Sequence, residues 1–453
     1  MMPLWTAAEL AAATGGRMAH PVAVTGVAID SRATRPGDLF VALAAERDGH
    51  DFIPAAMAAG AAAAMVHRDL GLDVPLLRVA DTQAGLAALG AAARARSTAR
   101  FVAVTGSVGK TTTKEMLRAI LSASGATHAA EASYNNQWGV PLTLARTPRD
   151  AAYAVIEIGM NHAGEIAPLA RMAQPHVALI TAVAAAHIGH LGSLEAIARE
   201  KGAIFSGLAP GGIAVLPADA PHLDLLREAA GAARVIRFGE GGEASATHVA
   251  ADAEGSDIAA DILGQRVEFR LGTPGAHMAR NAIAALAAAA ALGADVIKGA
   301  AALASFRAMP GRGDRRTIAT QDGGTALLLD EAYNGQPPSM RAALALLKLL
   351  PARRRIAVLG QMGELGDFAE GEHAALAPHV AEAADVVFAC GPLMRHTLAA
   401  LPAGVARAWA ETSTALAPQV AAALRDGDAV LVKGSLATGM KTVVRALTES
   451  SPR

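Results

Sequence analysis

Residues 101–117 read FVAVTGSVGKTTTKEML, an apolar run followed by a glycine-rich turn and the start of a helix. Glycine lets the backbone approach phosphate oxygens closely, and the free N–H groups that open a helix point toward an anion. Lys110 adds a positive charge at this point, and the Thr111 hydroxyl is placed to ligate Mg²⁺. We therefore predict that this stretch binds a nucleoside triphosphate. The alternative is an ordinary glycine-rich turn. It does not explain why a strand, two glycines, a lysine and a run of threonines occur together.

The length and composition limit the classes of protein to which this chain can belong. At 453 residues the chain is too long for one hydrophobic core, which predicts roughly two to four domains. The net charge is −1, no basic block occurs and aromatic residues make up 3%, so we expect no nucleic-acid partner. The alanine-rich runs at residues 58–66 and 282–292 are shorter than the ~18 apolar residues that span a bilayer. They predict buried helices and no membrane insertion.

Two further features concern compartment and assembly. The single cysteine, Cys390, excludes an internal disulfide framework. The N-terminal sequence MMPLWTAAELAAATGG lacks a basic segment before its apolar part, so no secretory signal is evident. We expect a cytoplasmic protein, and we expect it to be a monomer.

The chain divides into three α/β parts. Residues 1–98 predict a small α/β module, residues 99–312 alternate strands with helices, and residues 313–453 form a third α/β unit. The alternation predicts a mostly parallel sheet in the central part, and ligands of such sheets bind at the carboxyl ends of the strands. The loops that follow the predicted strands are therefore where site residues are expected.

Two strand ends in the central part carry groups that suit a magnesium site. Glu157 lies at the end of the predicted strand 152–159, and His187 follows the next predicted strand. Glu157 is the more natural oxygen ligand for a hard cation. Each of the two residues alone is equally consistent with a structural role. Lys201 follows in a predicted helix and, by sequence alone, is an ordinary surface lysine.

Polar loops elsewhere in the chain suit a polar substrate. Asn135 and Asn136 lie in SYNNQWGVPLT (residues 133–143), which we predict to be a loop with a Gly-Val-Pro turn. In the first part, Ser31 and Arg32 follow an apolar strand and are suited to hold a phosphate or a ribose. The alternative for Asp-Ser-Arg is a solvated turn, which is the commoner role for loop charges.

The third part also ends its predicted strands in polar loops. These loops contain Asp330, then GQMGELG (residues 360–366), then KGSLATG (residues 433–439). KGS after a strand is a weak phosphate signal by itself. Three such loops at the strand ends of one domain favour a ligand site, because open α/β sheets bind ligands there.

Taken together, these segments resemble the Mur ligases, the ATP-dependent amide-forming enzymes of bacterial cell-wall precursor synthesis. The resemblance covers essentially the whole chain and is carried by TGSVGKTTTKE, SYNNQWGVPLT, EIGMNHAGEIAPLA, LLLDEAYNGQPPSM and VLGQMGELG. It implies a UDP-sugar-binding first domain, a central P-loop ATPase domain and a C-terminal Rossmann-like domain. The motifs look most like the branch that joins D-alanyl-D-alanine to UDP-N-acetylmuramoyl-tripeptide through an acyl phosphate. ATP and Mg²⁺ are the implied cofactors.

The resemblance also implies a role for each candidate residue. The implied ATP contacts are Gly106, Ser107, Gly109, Lys110, Thr111, Thr112, Asn281, Arg312 and Asp330. The implied substrate contacts are Ser31, Arg32, Asn135, Asn136, Lys433 and Ser435. The implied catalytic residues are Lys110, Glu157, His187 and Lys201, and the implied magnesium ligands are Thr111, Glu157, His187 and a carbamylated Lys201. Met278 departs from the family pattern, which usually has an Asn at that position.

Two other functions remain open at this point. A folylpolyglutamate-type ligase or a different Mur ligase would use the same nucleotide site on another substrate. An ATP-gated switch would bind ATP and ligate nothing. The polar strand-end loops of the third part argue against the switch, because a regulatory NTPase has no need of them opposite its P-loop.

Overall fold

Three β-sheets follow one another along the chain in the computed structural model, which describes residues 3–449. The sheets contain five, nine and six strands, and most neighbouring strands in each are parallel. The carboxyl ends of parallel strands share one edge, so the polar loops of each sheet collect there. The predicted class, three α/β units with a mostly parallel central sheet and a Rossmann-like third unit, is confirmed.

The first sheet is flanked by three helices. Its elements in chain order are α1 (Ala7–Thr14), β1 (Arg17–Met18), β2 (Gly26–Ala28), β3 (Asp38–Val41), α2 (Ile53–Ala58), β4 (Ala63–Val66), β5 (Leu76–Arg78) and α3 (Thr82–Arg96). The strand order is β1-β5-β4-β3-β2, with β1 antiparallel to β5 and the other neighbours parallel.

The central sheet follows directly. Its elements are β6 (Arg100–Thr105), α4 (Lys110–Ser122), β7 (Thr127–Ala129), α5 (Gly139–Ala145), β8 (Tyr153–Glu157), α6 (Ile166–Ala173), β9 (Val177–Ile180), α7 (Ile188–Leu191), α8 (Leu194–Gly202), β10 (Ile213–Pro217), α9 (Leu223–Ala230), β11 (Arg234–Phe238), β12 (Ala244–Ala251), β13 (Ser256–Ile262), β14 (Gln265–Leu271), α10 (Ala276–Ala291) and α11 (Val296–Ala302). The strand order is β14-β13-β12-β11-β10-β9-β6-β8-β7. Strands β12, β13 and β14 form an antiparallel ribbon, and the remaining neighbours are parallel.

The third sheet is again mostly parallel. Its elements are β15 (Asp314–Ala319), β16 (Thr325–Glu331), α12 (Pro337–Leu349), β17 (Arg354–Gly360), α13 (Ala369–Ala374), α14 (Ala377–Ala383), β18 (Val386–Cys390), α15 (Met394–Ala400), β19 (Ala406–Ala410), α16 (Ser413–Ala423), β20 (Asp428–Lys433) and α17 (Lys441–Glu449). The strand order is β15-β16-β20-β17-β18-β19, with β15 antiparallel to β16.

Helices α4 and α10 cover one face of the central sheet. The buried side of α4 is apolar and includes Met116, Leu117 and Ile120. The alanine-rich α10 packs into the same core, and its small side chains let helices approach closely. This confirms the buried helix predicted for the second alanine-rich run. Between residues 3 and 449, none of the helices has both the length and the apolar character needed to cross a bilayer.

Two local predictions are wrong. The first alanine-rich run is not a helix, because α2 ends at Ala58 and residues 63–66 form strand β4. A strand buried on both faces has no polar alternation, so a short alanine run does not distinguish it from a helix. The Gly-Val-Pro sequence opens α5 instead of forming a turn. Pro141 is tolerated there because a first-turn N–H has no intrahelical partner.

The first and central sheets are joined through a shared apolar core. Trp5 and Leu89 of the first part pack in one cluster with Leu142 and Ala145 of α5. The Trp5 indole Nε1 also donates a hydrogen bond to the Ala145 carbonyl at 3.0 Å. We propose the domain division 1–98, 99–312 and 313–453, because each range contains one complete sheet of the described residues.

The only cysteine of the chain lies inside the third unit. Cys390 ends β18, is fully buried and places its Sγ 3.5 Å from the Met440 Sδ. Burial raises the pKa of this thiol to about 11. The side chain therefore acts as a small apolar core residue.

Candidate active site

The glycine-rich turn after β6 forms a loop with the geometry and charge of an anion site. Gly109 has a φ of 83°, and a Cβ at this position would lie 2.8 Å from the Asn281 Oδ1, so only glycine fits. Helix α4 begins at the next residue and opens its free N–H groups toward the turn. The Lys110 Nζ donates to the Gly106 carbonyl at 2.6 Å, and desolvation lowers the pKa of this ammonium.

Side chains beyond the quoted motif brace this loop. The Thr181 Oγ1 donates to the Val108 carbonyl at 2.6 Å, and the Ser107 Oγ donates to the Ala184 carbonyl at 2.9 Å. Thr181 follows the neighbouring strand β9. These bonds fix the loop from the side of the adjacent strand. Sequence reasoning did not find Thr181, because a threonine after a buried strand has no distinguishing pattern.

Glu157 ends β8 and faces the start of α4. It is 1% exposed, and its Oε1 accepts hydrogen bonds from the Thr111 Oγ1 at 3.1 Å and the Asn135 Nδ2 at 2.7 Å. The Glu157 Oε2 has no hydrogen-bond partner among the residues described. A buried carboxylate with one free oxygen beside a threonine hydroxyl is a donor set that suits Mg²⁺. These residues therefore fit the cation that the nucleotide motif implies.

Lys201 is buried in α8, not exposed as its sequence context alone indicates. Its Nζ has no hydrogen-bond partner in the described part of the chain. Burial lowers the pKa of the Lys201 amine well below its usual value, and the nearby charge of Lys110 lowers it further. Burial therefore favours the neutral amine more at this position than at an exposed lysine.

Unmodified side chains supply few metal ligands near this point. Within residues 3–449, no group of three or more histidine, cysteine, aspartate and glutamate side chains is arranged to hold a metal ion. A cation bound beside Glu157 would therefore draw other ligands from hydroxyl groups, from the phosphates or from a modified lysine.

His187 connects the central and third units. It precedes α7, and its Nδ1 lies 2.6 Å from the Oε2 of Glu364, which belongs to the loop after β17. The close contact with the His187 ring lowers the pKa of the Glu364 carboxyl. Glu364 was not among the predicted site residues, because nothing in its local sequence indicates a partner in another domain.

Two cationic groups lie opposite the nucleotide loop, Arg312 at the end of the central unit and Lys433 in the third unit. The Arg312 Nη2 donates to the Ser133 Oγ at 3.1 Å, and its guanidinium lies 4.0 Å from the centroid of the Tyr333 ring. Lys433, at the end of β20, is buried and donates from Nζ to the Glu331 Oε2 at 3.0 Å. Both contacts place the predicted cations in fixed positions.

These elements surround one cleft of about 1230 Å³ between the central and third units. The cleft is large enough for a nucleotide and a second substrate. The predicted residues that line it are Ser107, Gly109, Lys110, Thr111, Thr112, Asn135, Asn136, Glu157, His187, Asn281, Arg312, Lys433 and Ser435.

Comparison with known proteins identifies the family of this arrangement. The Mur ligase family catalytic domain matches residues 23–123, the Mur ligase middle domain residues 104–289, and the Mur ligase glutamate ligase domain residues 311–436. The UDP-N-acetylmuramoyl-tripeptide–D-alanyl-D-alanine ligase of Escherichia coli K12 is 39% identical over 95% of this chain and 95% of its own length. The chain belongs to the Mur ligase family.

Solved Mur ligases share the arrangement of the whole chain. A crystal structure of MurF from Acinetobacter baumannii superposes with a TM-score of 0.86 at 33% identity, over 98% of this chain and 99% of that one. MurF from Thermotoga maritima in complex with ADP superposes with a TM-score of 0.76 at 27% identity, over 93% and 96% of the two chains. The three-part architecture is therefore shared with these two MurF structures.

Some predicted residues of this Mur ligase do not line the cleft. Ser31 and Arg32 form a short 3-10 helix on the first domain, where Arg32 is exposed and pairs with Asp30 at 2.6 Å. Asp330 lies behind the cleft wall, where its Oδ1 accepts from the Ala332 N–H at 3.1 Å. Burial raises the pKa of the Asp330 carboxyl. Gly106 and Lys201 likewise lie behind the lining residues.

Two further residues bear on the chemistry of the cleft, Met278 on its wall and Glu200 beside Lys201. Met278 is buried and lines the cleft, so an apolar thioether occupies the position for which the sequence resemblance implied an amide. Glu200 lies next to Lys201, and its carboxylate accepts hydrogen bonds from the backbone N–H groups of Gly164 at 2.8 Å and Ile166 at 3.0 Å. It thereby fixes the loop between β8 and α6.

Proposed function

We propose that this chain is an ATP-dependent carbon–nitrogen ligase that joins D-alanyl-D-alanine to UDP-N-acetylmuramoyl-tripeptide in the cytoplasm. The product is the UDP-muramoyl pentapeptide used in peptidoglycan synthesis. The observation that carries the proposal is a cleft lined by the glycine-rich turn, Lys110 and Glu157, in a chain that matches ligases of this name along almost their whole length. We also propose that the enzyme acts as a monomer.

The reaction must turn a carboxylate oxygen into a leaving group. In the proposed reaction the terminal carboxylate of the tripeptide attacks the γ-phosphorus of ATP, which gives an acyl phosphate and releases ADP. The amine of D-alanyl-D-alanine then attacks the acyl carbon, phosphate leaves and the nitrogen loses a proton. Both steps depend on positioning and on neutralising phosphate charge more than on covalent chemistry by the protein.

The central domain supplies the groups for the first step. Lys110 and the N-terminus of α4 hold the phosphates, and the Asn281 amide lies against the glycine-rich turn. Thr111, Glu157, His187 and a carbamylated Lys201 would hold Mg²⁺, which neutralises charge on the transferring phosphoryl group when bound.

We propose that Lys201 is carbamylated in the active enzyme. An ammonium ion beside Mg²⁺ would repel it, whereas a carbamate is an anion with oxygen donors. The reaction joins the neutral amine nitrogen to the carbon of CO₂ and releases one proton. Two properties of this site support the proposal, namely the lowered pKa of the Lys201 amine and its lack of a hydrogen-bond partner in the described chain.

The other proposed substrate contacts come from all three domains. Asn135 and Asn136 would contact the peptide near the reacting carboxylate, and Lys433 and Ser435 would contact the acceptor dipeptide. Asn136 also stabilises the start of α5, because its Oδ1 accepts from the Gly139 N–H at 2.9 Å. Ser31 and Arg32 would bind the nucleotide-sugar end of the donor on the first domain. Arg312 at the end of the central domain and Asp330 in the third domain would support ATP binding from the boundary between the two.

The test is mass detection of the pentapeptide product from purified protein, ATP, Mg²⁺ and the two substrates. We expect product and phosphate in equal amounts, and neither when D-alanyl-D-alanine is omitted. A different amino-acid acceptor or a folate donor as the better substrate would indicate another ligase of the superfamily. Phosphate release without any ligated product would indicate an ATP-gated switch.

A further inference from the structure

We propose that Glu364 is a positioning residue for the reaction proposed above, because it reaches from the third domain to orient His187 in the central domain. Glu364 follows β17 at the rim of the cleft, and His187 precedes α7 on the opposite wall. The catalytic part of this role rests on the proposed function. The contact itself is testable on the free protein.

Glu364 is joined to the central domain through its side chain and its backbone. Its Oε2 lies 2.6 Å from the His187 Nδ1, and its carbonyl oxygen accepts a hydrogen bond from the Gly189 N–H at 3.0 Å. The buried Gln336 donates from Nε2 to the same Oε2 at 3.4 Å. The carboxylate is therefore held from its own domain while it faces the histidine.

The two backbones meet at a pair of glycines. A Cβ added to Gly189 would lie 2.5 Å from the Gly366 nitrogen, and a Cβ added to Gly366 would lie 2.9 Å from the Gly189 Cα. Real Cβ atoms do not come this close to backbone atoms, so any side chain at Gly189 separates α7 from the loop after β17. The ion pair and the glycine contact thus form one docking point.

Both partners have a backbone conformation that needs support. His187 has a φ of 61° and Glu364 a φ of 60°, although neither is glycine. Left-handed conformations of such residues persist where the surrounding contacts impose them. Here the contacts between the two residues come from two domains, so each domain stabilises the conformation of the other.

The Nδ1–Oε2 pair has the distance of a hydrogen bond but not its direction in this structure, so the His187 ring must turn for its Nδ1 to donate to Glu364. A neutral ring that donates from Nδ1 to a carboxylate carries its lone pair on Nε2. Such a carboxylate partner fixes both the tautomer and the ring orientation, and it strengthens the remaining nitrogen as a ligand or acceptor. Glu364 would hold His187 in this form only while the two domains are docked.

The test uses Glu364→Gln and Gly189→Ala in the full-length free protein, with Asp367→Asn and Gly371→Ala as matched controls. Asp367 is an exposed carboxylate of the same loop, and a Cβ at Gly371 meets nothing within 4 Å. ¹⁵N spectra of the histidine rings report the His187 tautomer, with the signal assigned by its loss in His187→Gln. Hydrogen exchange of the Gly189 amide reports docking, because its acceptor lies in the other domain.

We expect the Nδ1-protonated tautomer of His187 in the parent protein and both controls. In Glu364→Gln we expect a mixture of tautomers, and in Gly189→Ala faster exchange across residues 187–191. In the ligation assay we expect kcat to fall about 10- to 100-fold in Glu364→Gln with little change in the KM for ATP. An unchanged tautomer and an unchanged kcat in Glu364→Gln would overturn the proposal. Absence of ligation by the parent protein would instead overturn the proposed function, and the spectra would still decide the contact.

Discussion

The central domain meets its two neighbours through buried apolar contacts, but only the contact with the third domain also includes the polar rim of the cleft. Toward the first domain it presents the apolar side of α5, where Ala145 shares a buried core with Trp5. Toward the third domain it presents the polar rim of the cleft, where His187 faces Glu364 and Gly189 touches Gly366, beside an apolar contact whose residues Ile188 and Leu365 belong to one buried cluster. One contact excludes water, and the other borders a cavity that must admit substrates.

This difference assigns a separate task to each contact. Burial of large apolar side chains stabilises the folded state, so the first contact is costly to separate. The second contact borders the cleft and exchanges its polar hydrogen bonds with water at little net cost, so we expect it to open more readily than the first. We expect substitutions at the first contact to change stability, and substitutions around the cleft to change rate.

The largest effect is expected from Lys110→Ala, on the cleft side. We expect ligation to fall by more than about 1000-fold, because this ammonium lies at the start of α4 where phosphate charge must be neutralised. Thermal unfolding should stay at the parent temperature, since the side chain has little packing role. Coupled phosphate release and circular dichroism measure the two quantities. Near-parental turnover would contradict the assignment of the phosphate loop.

Trp5→Ala should have the opposite effect to Lys110→Ala, a loss of stability with little loss of activity. We expect the free energy of unfolding to fall by about 3–5 kcal/mol, because a fully buried indole is replaced by a cavity. The activity per folded molecule should change little. Trp5→Phe is the control, because it keeps most of the apolar volume and loses the hydrogen bond to the Ala145 carbonyl. Equal losses in the two variants would assign the stability to the hydrogen bond instead of packing.

Lys201→Ala tests whether an anion at this buried position of the central domain is needed for catalysis. We expect about a 100-fold loss of ligation, and partial recovery when acetate is added as a substitute anion. Lys201→Met is the matched control, since its side chain fills the space and leaves no room for acetate. Activity is followed by phosphate release and the fold by circular dichroism. A fully active Lys201→Ala enzyme would end the carbamate proposal.

The smallest effect is expected from Glu9→Gln at the exposed edge of the first contact. The pKa of the Glu9 carboxyl is lowered from 4.5 to about 2, chiefly by the Thr6 backbone N–H and then by Arg149. A lowered pKa contributes stability above about pH 4.5 that disappears as the pH falls through 2. We expect a loss below ~1 kcal/mol at neutral pH, because the pair is solvent-screened.

Urea unfolding at pH 7 and pH 3, with the exposed Glu46→Gln as control, measures this effect. The difference between Glu9→Gln and the parent should shrink at the lower pH. A difference that grows on acidification would show that the ionised carboxylate is not the stabilising form.

The parts of the molecule that sequence predicted are those in which neighbouring residues determine the geometry. The loop at Gly109 and Lys110 is encoded within a dozen residues, and its strand, turn and helix follow in order. The strand end at Glu157 was predictable because parallel strands place their last residues at one edge.

Other features depend on chain segments that are distant in sequence. The contact between His187 and Glu364 joins residues 177 positions apart, and no local periodicity encodes it. The burial of Lys201 was missed for a similar reason, because a helical lysine is usually exposed and only the surrounding elements enclose this one. The short alanine run that includes strand β4 has no alternation of polar and apolar residues, so tertiary packing determines its conformation.

The buried thiol at the end of β18 has a practical consequence. Cys390 is the only cysteine in the sequence, has no exposed surface and is mostly in the thiol form at neutral pH because its pKa is raised to about 11. Maleimide and iodoacetamide reagents attack accessible thiolates, so the parent chain should give almost no background labelling. A cysteine introduced at an exposed position on each side of the cleft would then carry a fluorophore pair. Energy transfer between the two dyes would report the distance between the central and third domains during each turnover.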